Sequence, residues 1–157
     1  MTPEQAQAAI GRFARTCDEH GLVVAAFLGG SYAARTATSD SDIDLYVLTE
    51  EADYPGFFAG RLAFVLSWAD GASLVDMPNF EGLGFDMLGF ECPDGVWGQV
   101  ALGHTGNMMA LHGGPHDVLV DKRGLLTDVT FPCSDTYPSP PSPSHAQTPQ
   151  VLSLIHI

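Results

Sequence analysis

Hydrophobic residues recur with helical spacing near the start of the chain and then form a continuous run. The helical spacing covers residues 3–20, where Thr2 can cap the first turn and Pro3 suits it. Residues 22–28 are entirely apolar, as in a buried strand, and the run stops at Gly29. The pattern therefore predicts a helix followed directly by the first strand of a sheet.

The next strand, predicted at residues 42–48, has two different faces. Because side chains alternate along a strand, Ile43 and Leu45 point to one face. Asp42 and Asp44 point to the other. The alternation therefore predicts two neighbouring carboxylates on the polar face of this strand.

The remaining pattern predicts one helix, a hairpin and two short elements. Residues 55–69 are apolar enough for a helix packed on the sheet, and residues 84–103 read as two strands around a turn at residues 93–95. A short helix within residues 105–114 and a last short strand at residues 116–121 follow. Strands and helices that share one sheet in this way predict an α/β or α+β domain.

The composition changes after Phe131, and the change predicts the end of the folded domain. Residues 132–150 are rich in proline and serine and cannot join a hydrophobic core. We therefore expect one domain over residues 1–131 and a tail over residues 132–157 that is disordered or an artefact. The ending LSLIHI can be encoded by the end of a transposon adapter used in DNA library preparation, so we expect a truncated gene read through into adapter sequence. The alternative is a genuine apolar C-terminus that docks on the domain.

The charge of the chain bears on its partners. Six lysines and arginines stand against nineteen aspartates and glutamates, which gives a formal net charge of −13. So acidic a surface repels phosphate polymers, and this argues against a nucleic-acid polymer as the partner. It suits a small substrate or a cationic one, although acidity also serves solubility alone.

Length and cysteine content favour a single cytoplasmic domain without a membrane partner. The chain has 157 residues, 45% of them hydrophobic, which is enough for one ordinary domain with a core. It has no apolar run of membrane-spanning length and no signal-peptide start. Its three cysteines, Cys17, Cys92 and Cys133, fit no disulfide or zinc framework, as expected in a reducing compartment.

The segment between the first two strands carries the candidate chemistry. Gly29 and Gly30 let the backbone approach a bulky ligand, and Ser31 can cap a short helix whose free N–H groups favour phosphate. Asp42 and Asp44 repel each other unless a cation lies between them, and oxygen ligands favour Mg²⁺ or Mn²⁺. A phosphate cradle beside a divalent-metal site suits phosphoryl or nucleotidyl transfer.

Residues 29–45, GGSYAARTATSDSDIDL, resemble the signature of the nucleotidyltransferase superfamily that includes DNA polymerase beta. That signature is Gly-Gly-Ser, a spacer, and then Asp-x-Asp on a strand. The matching residues are Gly29, Gly30, Ser31, Asp42 and Asp44. The version found in bacterial aminoglycoside nucleotidyltransferases is especially similar, and residues 118–126, VLVDKRGLL, look like a segment of streptomycin-type adenylyltransferases. The resemblance covers residues 22–126.

The resemblance implies a fold, a reaction and a set of ligands. The fold is the nucleotidyltransferase fold, a short mixed β-sheet with helices packed mainly on one face. The reaction moves a nucleoside monophosphate, AMP from ATP or its counterpart from another NTP, to a hydroxyl of a small acceptor, with an aminoglycoside as one candidate. The implied ligand-binding residues are Gly29, Gly30 and Ser31 for the nucleotide and Asp42 and Asp44 for two Mg²⁺. Arg35 is a further candidate for the nucleotide, because its place one turn into the helix after Ser31 could bring it to a phosphate. An alternative for Arg35 is an ion pair with Asp40 or Asp42 that fixes the loop.

The family also uses a third Asp or Glu, on a later strand, to ligate one metal and help activate the acceptor hydroxyl. The resemblance places that residue on the second hairpin strand, at Gln99, and an amide is neither a base nor a good Mg²⁺ ligand. Three interpretations stay open. Glu91 on the adjacent strand supplies the charge, or less readily Asp86; the chain binds nucleotide but transfers slowly or not at all; or Gln99 is a sequence error. If the position is catalytic, Gln99→Glu should raise Mg²⁺-dependent transfer.

A second hypothesis is a nucleotide-binding module without catalytic activity. Antitoxin-type minimal nucleotidyltransferases pair with a helical partner protein, and Gln99 favours such a module here. The extension through residues 118–126 favours the enzyme instead, because minimal versions tend to stop sooner. A neighbouring gene for a small helical toxin would favour the module.

Overall fold

A single sheet organises the fold. The computed structural model describes residues 1–82, 84–111, 114–129, 131 and 151–152. The strands within these residues are β1 (Val23–Gly29), β2 (Ile43–Thr49), β3 (Ser73–Met77), β4 (Asp86–Glu91), β5 (Trp97–His104), β6 (Asp117–Asp121) and β7 (Val151–Leu152). They lie in the order β6-β1-β2-β5-β4-β3-β7. The sheet is mixed, because β2 and β5 run parallel while the other neighbouring strands are antiparallel.

The helices pack on one face of this sheet. The α-helices of the described residues are α1 (Pro3–Glu19), α2 (Gly30–Ala34), α3 (Tyr54–Ala59) and α4 (Arg61–Trp68). Short 3₁₀ segments lie at Glu51–Asp53, Phe80–Gly82 and Met108–Ala110. All four α-helices contribute buried side chains to one core cluster. The α+β fold with helices mainly on one face is therefore confirmed.

Helix α1 begins with a reciprocal cap and buries one apolar stripe. The Thr2 hydroxyl accepts a hydrogen bond from the Gln5 backbone N–H at 3.1 Å, and the Gln5 side chain accepts one from the Thr2 N–H at 2.8 Å. The Phe13 ring is fully buried and meets Trp68 and Phe64 of α4 edge-on, at centroid distances of 5.1 and 6.3 Å. Aromatic packing thus fixes α1 against α4 on the helix face.

The two faces of β2 follow the predicted alternation. Ile43, Leu45 and Val47 belong to the core cluster beneath the helices. Tyr46 faces the opposite side, where its ring stacks on Phe27 of β1 at 4.5 Å. Asp44 lies on this second face of the sheet, which loop residues cover instead of helices, and Asp42 directly precedes β2.

Two predicted elements differ from the structure. The single helix expected at residues 55–69 is two helices, α3 and α4, with a break at Gly60, a residue with little preference for helix. The short helix expected within residues 105–114 is one 3₁₀ turn at Met108–Ala110.

Strand β3 was missing from the sequence prediction. Its pattern includes Asp76, whose charge argues against a buried strand. In the fold, Arg61 donates to both carboxylate oxygens of Asp76, at 3.1 and 2.5 Å, and its guanidinium lies 3.9 Å from the ring centroid of Phe58. A partner from α4 neutralises this charge, and the sequence pattern does not reveal that partner.

The tail lies almost wholly outside the described residues, apart from Val151 and Leu152, which pair with β3. The predicted boundary near residue 131 and the adapter origin of the ending therefore stay predictions. Cys17 and Cys92 are buried free thiols, while Cys133 lies outside the described residues. None of the helices that the structure describes is both long and apolar enough to span a bilayer.

Candidate active site

Strand order brings the predicted site residues together at one edge of the sheet, where β1 ends and the neighbouring strands β2 and β5 begin. Since β1 and β2 are antiparallel, Gly29 at the end of β1 pairs with Asp44 at the start of β2. Since β2 and β5 are parallel, Asp44 also pairs with Gln99 at the start of β5. Asp44 thus lies between the glycine turn and the residue expected at the third-carboxylate position.

Gly30 is required by its contact with Asp44. Its φ is +62°, in the left-handed region, and a Cβ built on it would lie 3.0 Å from Cγ of Asp44 and closer still to Oδ2. The sequence attributed this glycine to the approach of a ligand. The structure gives it a second role, because it allows the turn to close on the Asp44 carboxylate.

The N-cap of the short helix after the glycines lies two residues earlier than predicted. Gly29 is its N-cap residue, without a side-chain hydrogen bond, and Ser31 lies within the first turn of α2. The prediction that Ser31 caps this helix was therefore wrong. Ser31 remains beside Gly30 at the edge that carries the aspartates, and its backbone carbonyl accepts from the Thr36 N–H at 2.9 Å.

Arg35 ends α2 in an unusual backbone conformation. Its φ is +62°, which is uncommon for a residue other than glycine. Its guanidinium donates to Asp117 of β6 at 2.7 Å and to the Tyr32 carbonyl at 3.0 Å. Arg35 therefore ties α2 to an edge strand, and the expected ion pair with Asp40 or Asp42 is not the one formed.

Asp42 and Asp44 form a close carboxylate pair. Burial, followed by the charge of Asp42 and a hydrogen bond with Asp42, holds the pKa of Asp44 well above its usual range. Two carboxylates in this position need a proton or a cation between them. The oxygen-rich donor set fits Mg²⁺ or Mn²⁺, so Asp42 and Asp44 are the residues that could hold a divalent ion.

Gln99 contacts both members of this pair. Its side chain is buried, with 1% of the residue exposed. In the amide orientation that satisfies its hydrogen bonds, the NH₂ group donates to Asp44 Oδ1 at 3.0 Å and to Asp42 Oδ2. The position that the resemblance assigned to a third carboxylate therefore does meet the other two, but it carries an amide.

The other candidates for the third carboxylate lie elsewhere. Glu91 pairs with Trp97, so it lies on the same face as Gln99 but two pairs farther along the strands. Asp86 pairs with Leu102 at the far end of β4, where it accepts hydrogen bonds from the Tyr54 hydroxyl and from the Asn79 N–H. Within the described part of the chain, no three His, Cys, Asp or Glu side chains form a group that could hold a metal. Neither carboxylate therefore completes a triad with Asp42 and Asp44.

Gly98 sets the distance between the two central strands next to Gln99. A Cβ built on Gly98 would lie 2.8 Å from backbone atoms of Ile43 and closer to its carbonyl oxygen. Gly98→Ala should push β5 from β2 and lower the free energy of unfolding by about 1–3 kcal/mol. Urea denaturation measures this loss. Gly56→Ala is the control, because a Cβ on Gly56 meets nothing within 4 Å; equal stability of the two variants would contradict the close approach.

A cleft next to the motif was not predicted from the sequence. It measures about 420 Å³ and is lined by Met1, Pro3, Gln7, Tyr32, Arg35, Ala37, Thr38 and Ser39. Burial, and then the charge of Asp42, raises the pKa of the Tyr32 hydroxyl, which connects the cleft to the carboxylate pair. In the sequence, only the neighbouring Ser31 pointed to Tyr32. No sequence signal pointed to the α1 residues that line the cleft, because the packing of the helices brings them there.

One comparison with known proteins bears on this site. A family model described as a nucleotidyltransferase domain matches residues 10–72, less than half of the chain. The matched range contains the glycine turn, Asp42 and Asp44, and it ends before Gln99. No curated protein matches the chain. The match and the fold together support a nucleotidyltransferase-type domain whose general function is nucleotidyl transfer.

Proposed function

We propose that this chain transfers a nucleoside monophosphate, AMP from ATP, to a hydroxyl of a small acceptor and releases pyrophosphate. The observation that carries the proposal is the convergence of Gly30, Asp42 and Asp44 at one sheet edge, within the range that the nucleotidyltransferase model matches. In this proposal the protein acts in the cytoplasm on a small molecule, and neither a nucleic-acid polymer nor a membrane is its partner.

Some residues at this edge bind the phosphates of the nucleotide, and others bind the cation. Gly29, Gly30 and Ser31 bind the triphosphate through the backbone and the hydroxyl at the start of α2. Arg35 has a side chain that is 73% exposed and so keeps N–H donors for a phosphate besides its bond to Asp117. Asp42 and Asp44 hold Mg²⁺ or Mn²⁺. When bound, the ion neutralises charge on the phosphates and helps to ionise the attacking hydroxyl.

The cleft beside Tyr32 is the proposed entry for the acceptor. It opens next to α2, and Tyr32 links it electrostatically to Asp42. Its volume of about 420 Å³ suits a small molecule. The net charge of −13 favours a cationic acceptor, and an aminoglycoside fits that description.

The thermal midpoint of unfolding with and without Mg²⁺ and ATP tests the proposal. A ligand that binds only the folded state at a hundred times its Kd adds about 2.7 kcal/mol, which raises the midpoint of a domain of this size by several degrees. We expect this rise in the wild-type chain and not in the Asp42→Asn/Asp44→Asn variant. The variant should fold at least as well without ligand, because it loses a carboxylate repulsion. The same rise in both proteins would contradict the proposed site.

One observation favours a second candidate, a nucleotide-binding module with impaired catalysis that pairs with a helical partner protein. Gln99 donates to both carboxylates where a third carboxylate would help to activate the acceptor. Such a module would show the Mg²⁺- and ATP-dependent rise but release no pyrophosphate. A gain of Mg²⁺-dependent transfer in Gln99→Glu would favour this candidate for the present sequence, and fast transfer by the wild-type chain would exclude it.

A further inference from the structure

The amide of Gln99 has an arrangement that suits two states of the carboxylate pair. It is buried, it lies on the central strand beside Asp44, and its terminal group meets one oxygen of Asp42 and one of Asp44. A neutral amide carries a donor group and an acceptor oxygen on the same carbon. A half-turn about the last side-chain bond exchanges these two atoms and leaves the backbone unchanged.

We propose that Gln99 is an amide switch: its NH₂ group holds Asp42 and Asp44 together without metal, and its oxygen turns toward the pair when a divalent ion binds. The inference rests on the proposed function for the identity of the ion. It assigns a role to the residue in which the chain departs from the related family.

The metal-free half of the switch follows from charge. Two neighbouring carboxylates repel each other, and a carboxylate oxygen that is shielded from water needs a donor. The Gln99 NH₂ group supplies one donor to each residue of the pair. The amide therefore gives one oxygen of each carboxylate a donor and offsets part of their repulsion without a metal, whereas a glutamate at position 99 would add a third negative charge.

The metal-bound half follows from the same contacts. A cation at Asp42 and Asp44 repels the N–H donors that face them, so the amide must release both hydrogen bonds. After the half-turn the carbonyl oxygen occupies the former place of the nitrogen and faces the pair. Since binding must break two hydrogen bonds and the amide adds no negative charge, the switch weakens divalent-ion binding compared with a third carboxylate.

Two measurements at pH 8 test the switch without nucleotide or acceptor. In the wild-type chain, the ¹⁵N-labelled side-chain NH₂ signals of Gln99, assigned by their loss in Gln99→Glu, should move when Mg²⁺ is titrated. In Gln99→Glu, the thermal midpoint without metal should fall by about 4 °C or more, because a buried carboxylate replaces a donor beside two other carboxylates. Mn²⁺, measured by electron paramagnetic resonance, should bind Gln99→Glu at least about tenfold more tightly than wild type.

Ala8→Glu is the matched control, because it adds the same charge at an exposed position of α1. It should change neither the metal-free midpoint nor the Mn²⁺ affinity beyond experimental error. NH₂ signals that stay fixed at saturating Mg²⁺ would overturn the switch, as would a Gln99→Glu variant with the wild-type midpoint and Mn²⁺ affinity. A nucleotide-dependent rise in the wild-type midpoint together with fixed NH₂ signals would overturn the switch alone and leave the proposed function standing.

Discussion

Replacing Gly30 with alanine is expected to displace the Asp44 carboxylate and to abolish the Mg²⁺- and ATP-dependent rise in the thermal midpoint. The added Cβ would lie 3.0 Å from Cγ of Asp44, well inside van der Waals contact. The residue would also keep a φ of +62°, which disfavours a side chain. Backbone strain and overpacking together should lower the free energy of unfolding by about 2–4 kcal/mol.

The measurement pairs urea denaturation with the thermal shift. Gly11→Ala is the control, since Gly11 lies on the exposed side of α1 and a Cβ there meets nothing within 4 Å. This control should gain about 0.5–1 kcal/mol from helix propensity and keep the nucleotide response. If Gly30→Ala retained both the wild-type stability and the nucleotide response, the turn would not need glycine. Its close approach to Asp44 would then not be required for nucleotide binding.

Replacing Phe13 with alanine is expected to cost about 3–5 kcal/mol of unfolding free energy. Phe13 is fully buried, and its ring meets the rings of Trp68 and Phe64 edge-on. Removing it leaves a cavity between α1 and α4 and removes both aromatic contacts. The carboxylate pair lies on the other face of the sheet, so the folded fraction should still show the nucleotide response.

Equilibrium urea denaturation checks this loss, with Arg15→Ala as the control on the exposed side of α1. The control should stay within about 0.5 kcal/mol of wild type. A loss below 1 kcal/mol in Phe13→Ala would show that α1 contributes little to the core. A normal stability loss together with a lost nucleotide response would show that the helix face and the site are energetically coupled.

Local sequence rules were enough for much of the fold and for part of the site. The alternation over residues 42–48 put Asp42 and Asp44 on one face, because strand side chains have a period of two. The turn at residues 93–95 predicted the hairpin of β4 and β5. These features depend on neighbours within a few residues, which is the range in which backbone sterics and side-chain periodicity act.

Such local rules could not predict contacts between segments that are distant in the sequence. Arg35 pairs with Asp117 instead of an aspartate nearby in the sequence. Asp76 argued against a strand at β3, and only the structure shows that Arg61 neutralises its charge. In each case the partner comes from another element of the sheet or its helices. A local pattern gives the charge of a side chain but not which opposite charge folding brings to it.

The sequence by itself determined that a glycine turn precedes two carboxylates on one face, since each of these features depends only on residues that are close together in the chain. The parallel order of β2 and β5 decided that Gln99 meets that pair and that Glu91 and Asp86 do not. Strand order is a property of the whole core, because it is the arrangement that buries the apolar faces of all strands and helices together. The chemistry of the edge, two carboxylates held by an amide, therefore exists only in the folded sheet.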